Sequence, residues 1–185
     1  IFLVERGFAG LAIGREIHKM GVWALPTSEL SLDECFVPDS HRLSREEGDG
    51  EGHLRKTLAE IRIITGAMAL GLARAALEAA VRYAGERKQF GKAINRYQAI
   101  QMKLAEMATA IDEAALLTYR AAWLRDVMGA RTTKETAMAK WTATESAQQV
   151  IDAAVQMFGA LGVTRGQPVE RLYREIRALR IYEGA

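Results

Sequence analysis

Residues 54–84 read LRKTLAEIRIITGAMALGLARAALEAAVRYA. Ile61, Ile64, Met68, Leu72 and Ala75 recur at three- and four-residue spacing, the period of one helix face. The prolines are Pro26, Pro38 and Pro168, so residues 39–167 lack the residue that most reliably breaks a helix. At roughly 1.5 Å per residue, a helix over 54–84 is about 45 Å long. A second helix is expected over 97–127, with Ile100, Leu104, Met107, Ile111 and Leu116 turned inward. A third is expected over 134–158, with Met138, Trp141, Ala147, Ile151, Val155 and Phe158 inward. Gly159 and Gly162 close it. Pro168 opens a fourth, where proline suits the first helical position. Short connections near Met128-Gly129 and over 159–166 make this a mainly α protein, an antiparallel four-helix bundle over 54–185.

Upstream the period changes. Ile1-Phe2-Leu3-Val4, Leu11 and Ile13, Val22-Trp23-Ala24-Leu25, Leu30 and Leu32, and Cys35-Phe36-Val37 are short apolar or alternating runs bounded by Gly and Pro, the strand signal. They are too few to close a sheet with two covered faces. Residues 1–45 therefore read as the remnant of a β domain. The polar, glycine-rich stretch over 46–53 reads as an exposed linker. The chain lacks an initiator Met and stops one residue after a glycine, which we read as a segment of a longer protein.

Composition narrows the function. Hydrophobic residues make up 49% and charged residues 26%, an ordinary globular balance. The net charge of +2 carries no nucleic-acid or membrane-surface footprint. No apolar run is read as long enough to span a bilayer. The single cysteine, Cys35, excludes an intrachain disulfide and a thiol cluster for zinc. It suits a reducing compartment, with the cytoplasm or a mitochondrial matrix expected. None of His18, His41 and His53 has a Glu three residues before it, so the Glu-x-x-His pattern of di-iron bundles is missing and no metal is expected. There is no nucleophile elbow and no Gly-Lys-Ser/Thr phosphate loop.

Four stretches suit chemistry. Gly66 and Gly71 lie inside a helix, at about 1 kcal/mol each relative to alanine. They mark a close approach to the backbone, by a packed helix or by a ligand. Arg87-Lys88-Gln89-Phe90-Gly91-Lys92 sets cations, an amide and an aromatic ring in one loop, fit for a phosphate and a flat ring. Cations answering a helix dipole read the same way. Gln156 to Gly162 closes a helix, whereas a Rossmann loop opens one. Finally, Arg180-Ile181-Tyr182-Glu183-Gly184-Ala185 places Glu183 at a helix exit between apolar neighbours. Such surroundings disfavour a charged carboxylate, the condition a general base needs. A solvated helix-end glutamate is the plain alternative.

Taken together, these residues resemble the C-terminal part of an acyl-CoA dehydrogenase, nearly end to end. Phe2-Leu3-Val4-Glu5-Arg6-Gly7 and Lys19-Met20-Gly21 through Val37-Pro38 resemble the end of that family's central β domain. Tyr83 to Lys92 with Gln98-Ala99 resembles its Arg-x-x-Phe-Gly signature. Gln156 to Gly162, Arg174-Glu175 and Ile181-Tyr182-Glu183-Gly184 follow in order. Each motif is weak alone; the ordered set is specific.

The resemblance implies an FAD enzyme that oxidises an acyl-CoA thioester to the 2,3-enoyl-CoA, with electron-transfer flavoprotein as acceptor. It implies Glu183 as the base that removes the α proton. Arg62, Tyr182 and Gly184 fall on the substrate side. Arg87, Gln89, Phe90, Gln98, Gln156 and Gly159 match residues that reach FAD across a subunit interface, so a homo-oligomer, dimer or tetramer, is expected. Some members carry the base just before the arginine matching Arg62; here that position is Ile61, with Glu60 a surface residue. Departures are Ala59 for an Asp, Ala160 for a loop glycine and Ala185 for a threonine. Two other expectations stay open: a helical oligomerisation module without chemistry, and an oxidase passing electrons to oxygen. The 185 residues alone are expected to be inactive, lacking most of the flavin pocket.

Overall fold

The computed structural model describes residues 1–43 and 48–184. The chain divides into two compact units, Ile1–Leu58 and Ala59–Ala185.

In the first unit, β1 (Leu11–Glu16) pairs antiparallel with β2 (Ser28–Leu32). Leu11 faces Leu32 and Ile13 faces Leu30, and the register shifts between Ile13 and Glu16. The first residues pair with the stretch after Pro38: Phe2 bridges Arg42, and Leu3 N–H donates to His41 O at 2.9 Å. Two expected strands are absent. Residues 22–25 form a turn, because Val22 takes φ +55° and Leu25 N–H closes back on Val22 O at 3.2 Å. Residues 35–37 pair with no strand. Ile13, Leu30 and Leu32 stay exposed on this two-stranded ribbon, as expected of strands too few to cover a face.

Four helices follow: α1 (Gly50–Glu86), α2 (Gln98–Asp126), α3 (Thr133–Phe158) and α4 (Pro168–Leu179). A small hairpin, β3 (Lys88–Gln89) with β4 (Lys92–Ala93), joins α1 to α2. The bundle read from the sequence is present; two of its details are not.

First, α1 begins at Gly50, so residues 50–53 of the expected linker are helical. Asp49 and Glu51 supply the negative charge that favours a helix N-terminus, and His53 N–H reaches Asp49 O at 3.2 Å. The linker's residues 46 and 47 lie outside the described residues. The division into units falls after Leu58 rather than after His53.

Second, the buried faces differ from the expected ones. On α1 the core side is Thr65, Gly66, Ala69, Leu70, Ala73, Ala76, Ala80 and Ala84, while Ile64 and Met68 are exposed. Met107, Ile111, Ala147 and Ile151 are buried as read, but Leu116 is 71% and Trp141 67% exposed. Val155 and Phe158 are half-buried, and Met138 is exposed. Small side chains let helix backbones approach closely. A Cβ on Gly66 would lie 3.3 Å from Thr118 Oγ1 and 3.6 Å from Ala139 O, which makes Gly66 a helix-packing glycine. Gly71 has open space at that position.

Among the described residues, α1 is long and apolar enough by length and composition to cross a membrane, contrary to the sequence expectation. Its alanine stripe is buried in the bundle.

Candidate active site

Helix α4 begins with Pro168 at its first position and buries Val169, Leu172, Ile176 and Leu179. That apolar stripe fixes the direction in which the chain leaves the helix. Ile181 and Tyr182 N–H groups both return to Ala178 O, and Glu183 and Gly184 then take φ +60° and +97°. Glycine adopts the left-handed region freely; a glutamate does so only where its surroundings require it.

Three side chains from two other helices supply that requirement. Thr65 on α1 donates its hydroxyl to Glu183 Oε2. Arg62, three residues earlier on α1, donates from Nε to the Glu183 carbonyl at 3.1 Å. Lys140 on α3 donates from Nζ to the Gly184 carbonyl at 2.8 Å and to Arg180 O at 3.3 Å. A Cβ on Gly184 would sit 3.3 Å from Arg62 Nη2. Arg180 is held to Glu145 by two bonds of 2.6 and 2.5 Å.

Burial sets the electrostatics. Lys140 is only 5% exposed, and that desolvation pulls its pKa below the usual lysine value. Glu183 and Glu145 work against the shift and Arg62 adds to it. Burial also raises the Tyr182 pKa, and the Glu183 and Glu175 charges add to the rise. The company of Glu183 is thus a hydroxyl, a guanidinium and an ammonium, not the purely apolar setting expected. A cavity of about 480 Å³ opens behind the turn, lined by Arg62, Lys140, Trp141, Arg180, Ile181 and Gly184 among others. Glu183 itself is not in its lining.

A second set gathers where α1 and α3 end and α2 begins. Arg87, Gln89 and Phe90 are exposed on the hairpin, Phe90 at φ +50° and 93% exposed. Tyr97 donates its hydroxyl to Gln89 O at 2.8 Å, and Gln98 is the first residue of α2. The Tyr83 ring stacks on Phe158 at 4.1 Å and 15°, tying the end of α1 to the end of α3. There Gln156 is exposed and Gly159 takes φ +60°. A Cβ on the buried Gly162 would come within 2.3 Å of Val155 O, so that loop position admits only glycine. Along α1, Thr65 and Tyr83 stand about 27 Å apart, counting roughly 1.5 Å per residue.

Of the residues singled out in the sequence, Glu183, Arg62 and Gly184 come together. Tyr182 lies half-buried beside them. Arg87, Gln89, Phe90, Gln98, Gln156 and Gly159 gather at the other end. Glu60 is exposed and pairs with Arg125, as a surface residue should. Ala59 is half-buried, Ala160 is exposed, and Ala185 lies outside the described residues. Arg174 pairs with Glu170 at 2.6 Å. Among the described residues no group of three or more His, Cys, Asp and Glu is placed to hold a metal. Sequence reasoning missed Thr65 and Lys140. One signal was there: Lys140 is a lone cation in the stripe Thr136, Ala139, Ala143, Ala147, a core-facing period.

The fold has close counterparts. Residues 48–185 match the acyl-CoA dehydrogenase C-terminal domain. Benzylmalonyl-CoA dehydrogenase of Aromatoleum aromaticum is 66% identical over 177 residues, covering 96% of this chain and 47% of that protein. The butyryl-CoA dehydrogenase structure from Megasphaera elsdenii superposes with a TM-score of 0.95 at 39% identity, covering 100% of this chain and 48% of that one. A chain from structural work on the electron transferring flavoprotein of Acidaminococcus fermentans gives a TM-score of 0.96 at 41% identity, with the same coverage. This chain belongs to the acyl-CoA dehydrogenase family and carries its C-terminal domain. It spans about half the length of the relatives it matches.

Proposed function

We propose that this chain is part of an FAD-dependent acyl-CoA dehydrogenase in which Glu183 removes the proton next to the thioester carbonyl. The observation that carries this is the convergence of Thr65, Arg62 and Lys140 on a single left-handed glutamate turn. A helix-end carboxylate without a role needs no such support. The thioester acidifies the α carbon, and a fixed carboxylate beside it acts as the general base. Arg62, Tyr182 and Gly184 border the substrate.

The residues at the other end fit a flavin nucleotide. Phe90 and Gln89 offer an exposed ring and amide, Arg87 a cation, and Gln156 and Gly159 a second amide and a left-handed turn. When bound, FAD supplies the acceptor for the hydride leaving the β carbon. Because the two sets stand about 27 Å apart along one helix, they serve different sites within one chain. A homo-oligomer in which one subunit's hairpin end completes the site of another follows, in a reducing compartment and with electron-transfer flavoprotein as acceptor.

The test uses the full-length parent protein, mixed with acyl-CoA thioesters without oxygen. The wild type should show a flavin spectrum that bleaches. Glu183→Gln should keep the spectrum and fail to bleach. A colourless protein that cannot be reconstituted with FAD would overturn the proposal and leave a helical oligomerisation module.

A further inference from the structure

We propose that Thr65 is a positioning residue for the base: its hydroxyl holds Oε2 of Glu183 and leaves Oε1 to accept the substrate proton. The inference rests on the assignment of Glu183 as the base. Thr65 is buried on α1, one turn from Arg62 and on the same side. Three other buried threonines of the bundle satisfy their hydroxyls within their own helices. Thr118 donates to Ala114 O at 2.8 Å, and Thr144 to Lys140 O at 3.0 Å. Thr136 turns back to Thr133 O at 3.3 Å. Thr65 instead turns its hydroxyl across to the Glu183 carboxylate, 118 residues away in the chain.

The division of labour is clear from the atoms. Arg62 and Lys140 hold main-chain carbonyls of Glu183 and Gly184, which fixes the backbone of the turn. Neither bond orients the carboxylate itself. A glutamate side chain keeps rotamer freedom about its own torsions, and ordering it carries an entropy cost. Thr65 removes that freedom from a β-branched side chain that is itself stiff in a helix. The threonine proton occupies one lone pair of Oε2, and the assignment gives the substrate proton to Oε1. For packing alone, valine would fill the same volume.

The experiment compares Thr65→Val, Thr65→Ser and Glu183→Gln in the full-length holoprotein, with kcat and KM for an acyl-CoA and a melting curve for each. Thr65→Val should fold and lower kcat by about tenfold, leaving KM within about twofold, because a misplaced base loses transition-state contacts while binding persists. Thr65→Ser should restore kcat to within about threefold of wild type, since it returns the hydroxyl donor. Wild-type kcat in Thr65→Val overturns the proposal, as does equal loss in Val and Ser variants that melt like wild type. Full activity in Glu183→Gln overturns the underlying assignment instead, and the two failures are distinct.

Discussion

Glu183 sits in a backbone region that L residues avoid, and Gly184 follows it there at φ +97°. Substituting alanine at Gly184 should destabilise by roughly 1–2 kcal/mol, the usual cost of left-handed φ for a residue with a Cβ. The new methyl would also press on Arg62 Nη2, 3.3 Å away. Thermal melts of the full-length variant, together with its kcat, check this; an unchanged melting point would show the turn to be slack. Lys140 makes a second residue-scale prediction. Its folded-state pKa lies below the usual 10.5, so in the alkaline window between the two values the unfolded chain binds more protons. Stability conferred by Lys140, taken as wild type minus Lys140→Met, should therefore rise with pH through that window. Urea melts of both proteins at several alkaline pH values measure it, and a difference that falls with pH would contradict the burial of a charged ammonium. At this scale Glu183 was singled out in a short motif and Arg62 through the family resemblance. Thr65 and Lys140 were not, because their partners lie 118 and 44 residues away and no local pattern encodes such contacts.

At the scale of elements, helix positions were legible and helix faces were not. Period and the lack of proline place α2 and α3 within a residue or two. The face of α1 was misread because its large side chains, Ile64 and Met68, point outward while alanines and Gly66 point in. Hydrophobic size marks a face only when the partner helix stands far enough off to need it. A close-packed seam selects small residues, which weigh little in a sequence pattern. Ala76→Leu on this seam should therefore cost about 1–3 kcal/mol by overpacking, since the site is fully buried. The same change at the exposed Ala75 should stay within about 0.5 kcal/mol. Denaturant midpoints of the two variants separate the outcomes; equal costs would refute the alanine seam. The hairpin was legible only as a loop rich in cations.

At the scale of the whole molecule, the strands of the first unit remain a ribbon with exposed Leu30 and Leu32. Their poverty was legible; their register was not, because the turn at Val22 takes a conformation that valine rarely adopts. The two sets of site residues at opposite ends of the bundle carry the larger consequence. Phe90→Ala touches nothing near Glu183, yet in the assembled protein it should weaken FAD retention several-fold through loss of a stacking face. FAD content after gel filtration checks it, with undiminished flavin as the contrary result.

Acceptance of the α proton by Glu183 is the step on which the proposed function turns. Its most direct measurement is exchange of α-deuterium from an acyl-CoA thioester into solvent by the full-length holoprotein, wild type against Glu183→Gln. A fall of at least about 100-fold is expected in the variant, the usual share of a positioned general base. Exchange at the wild-type rate in Glu183→Gln would contradict it.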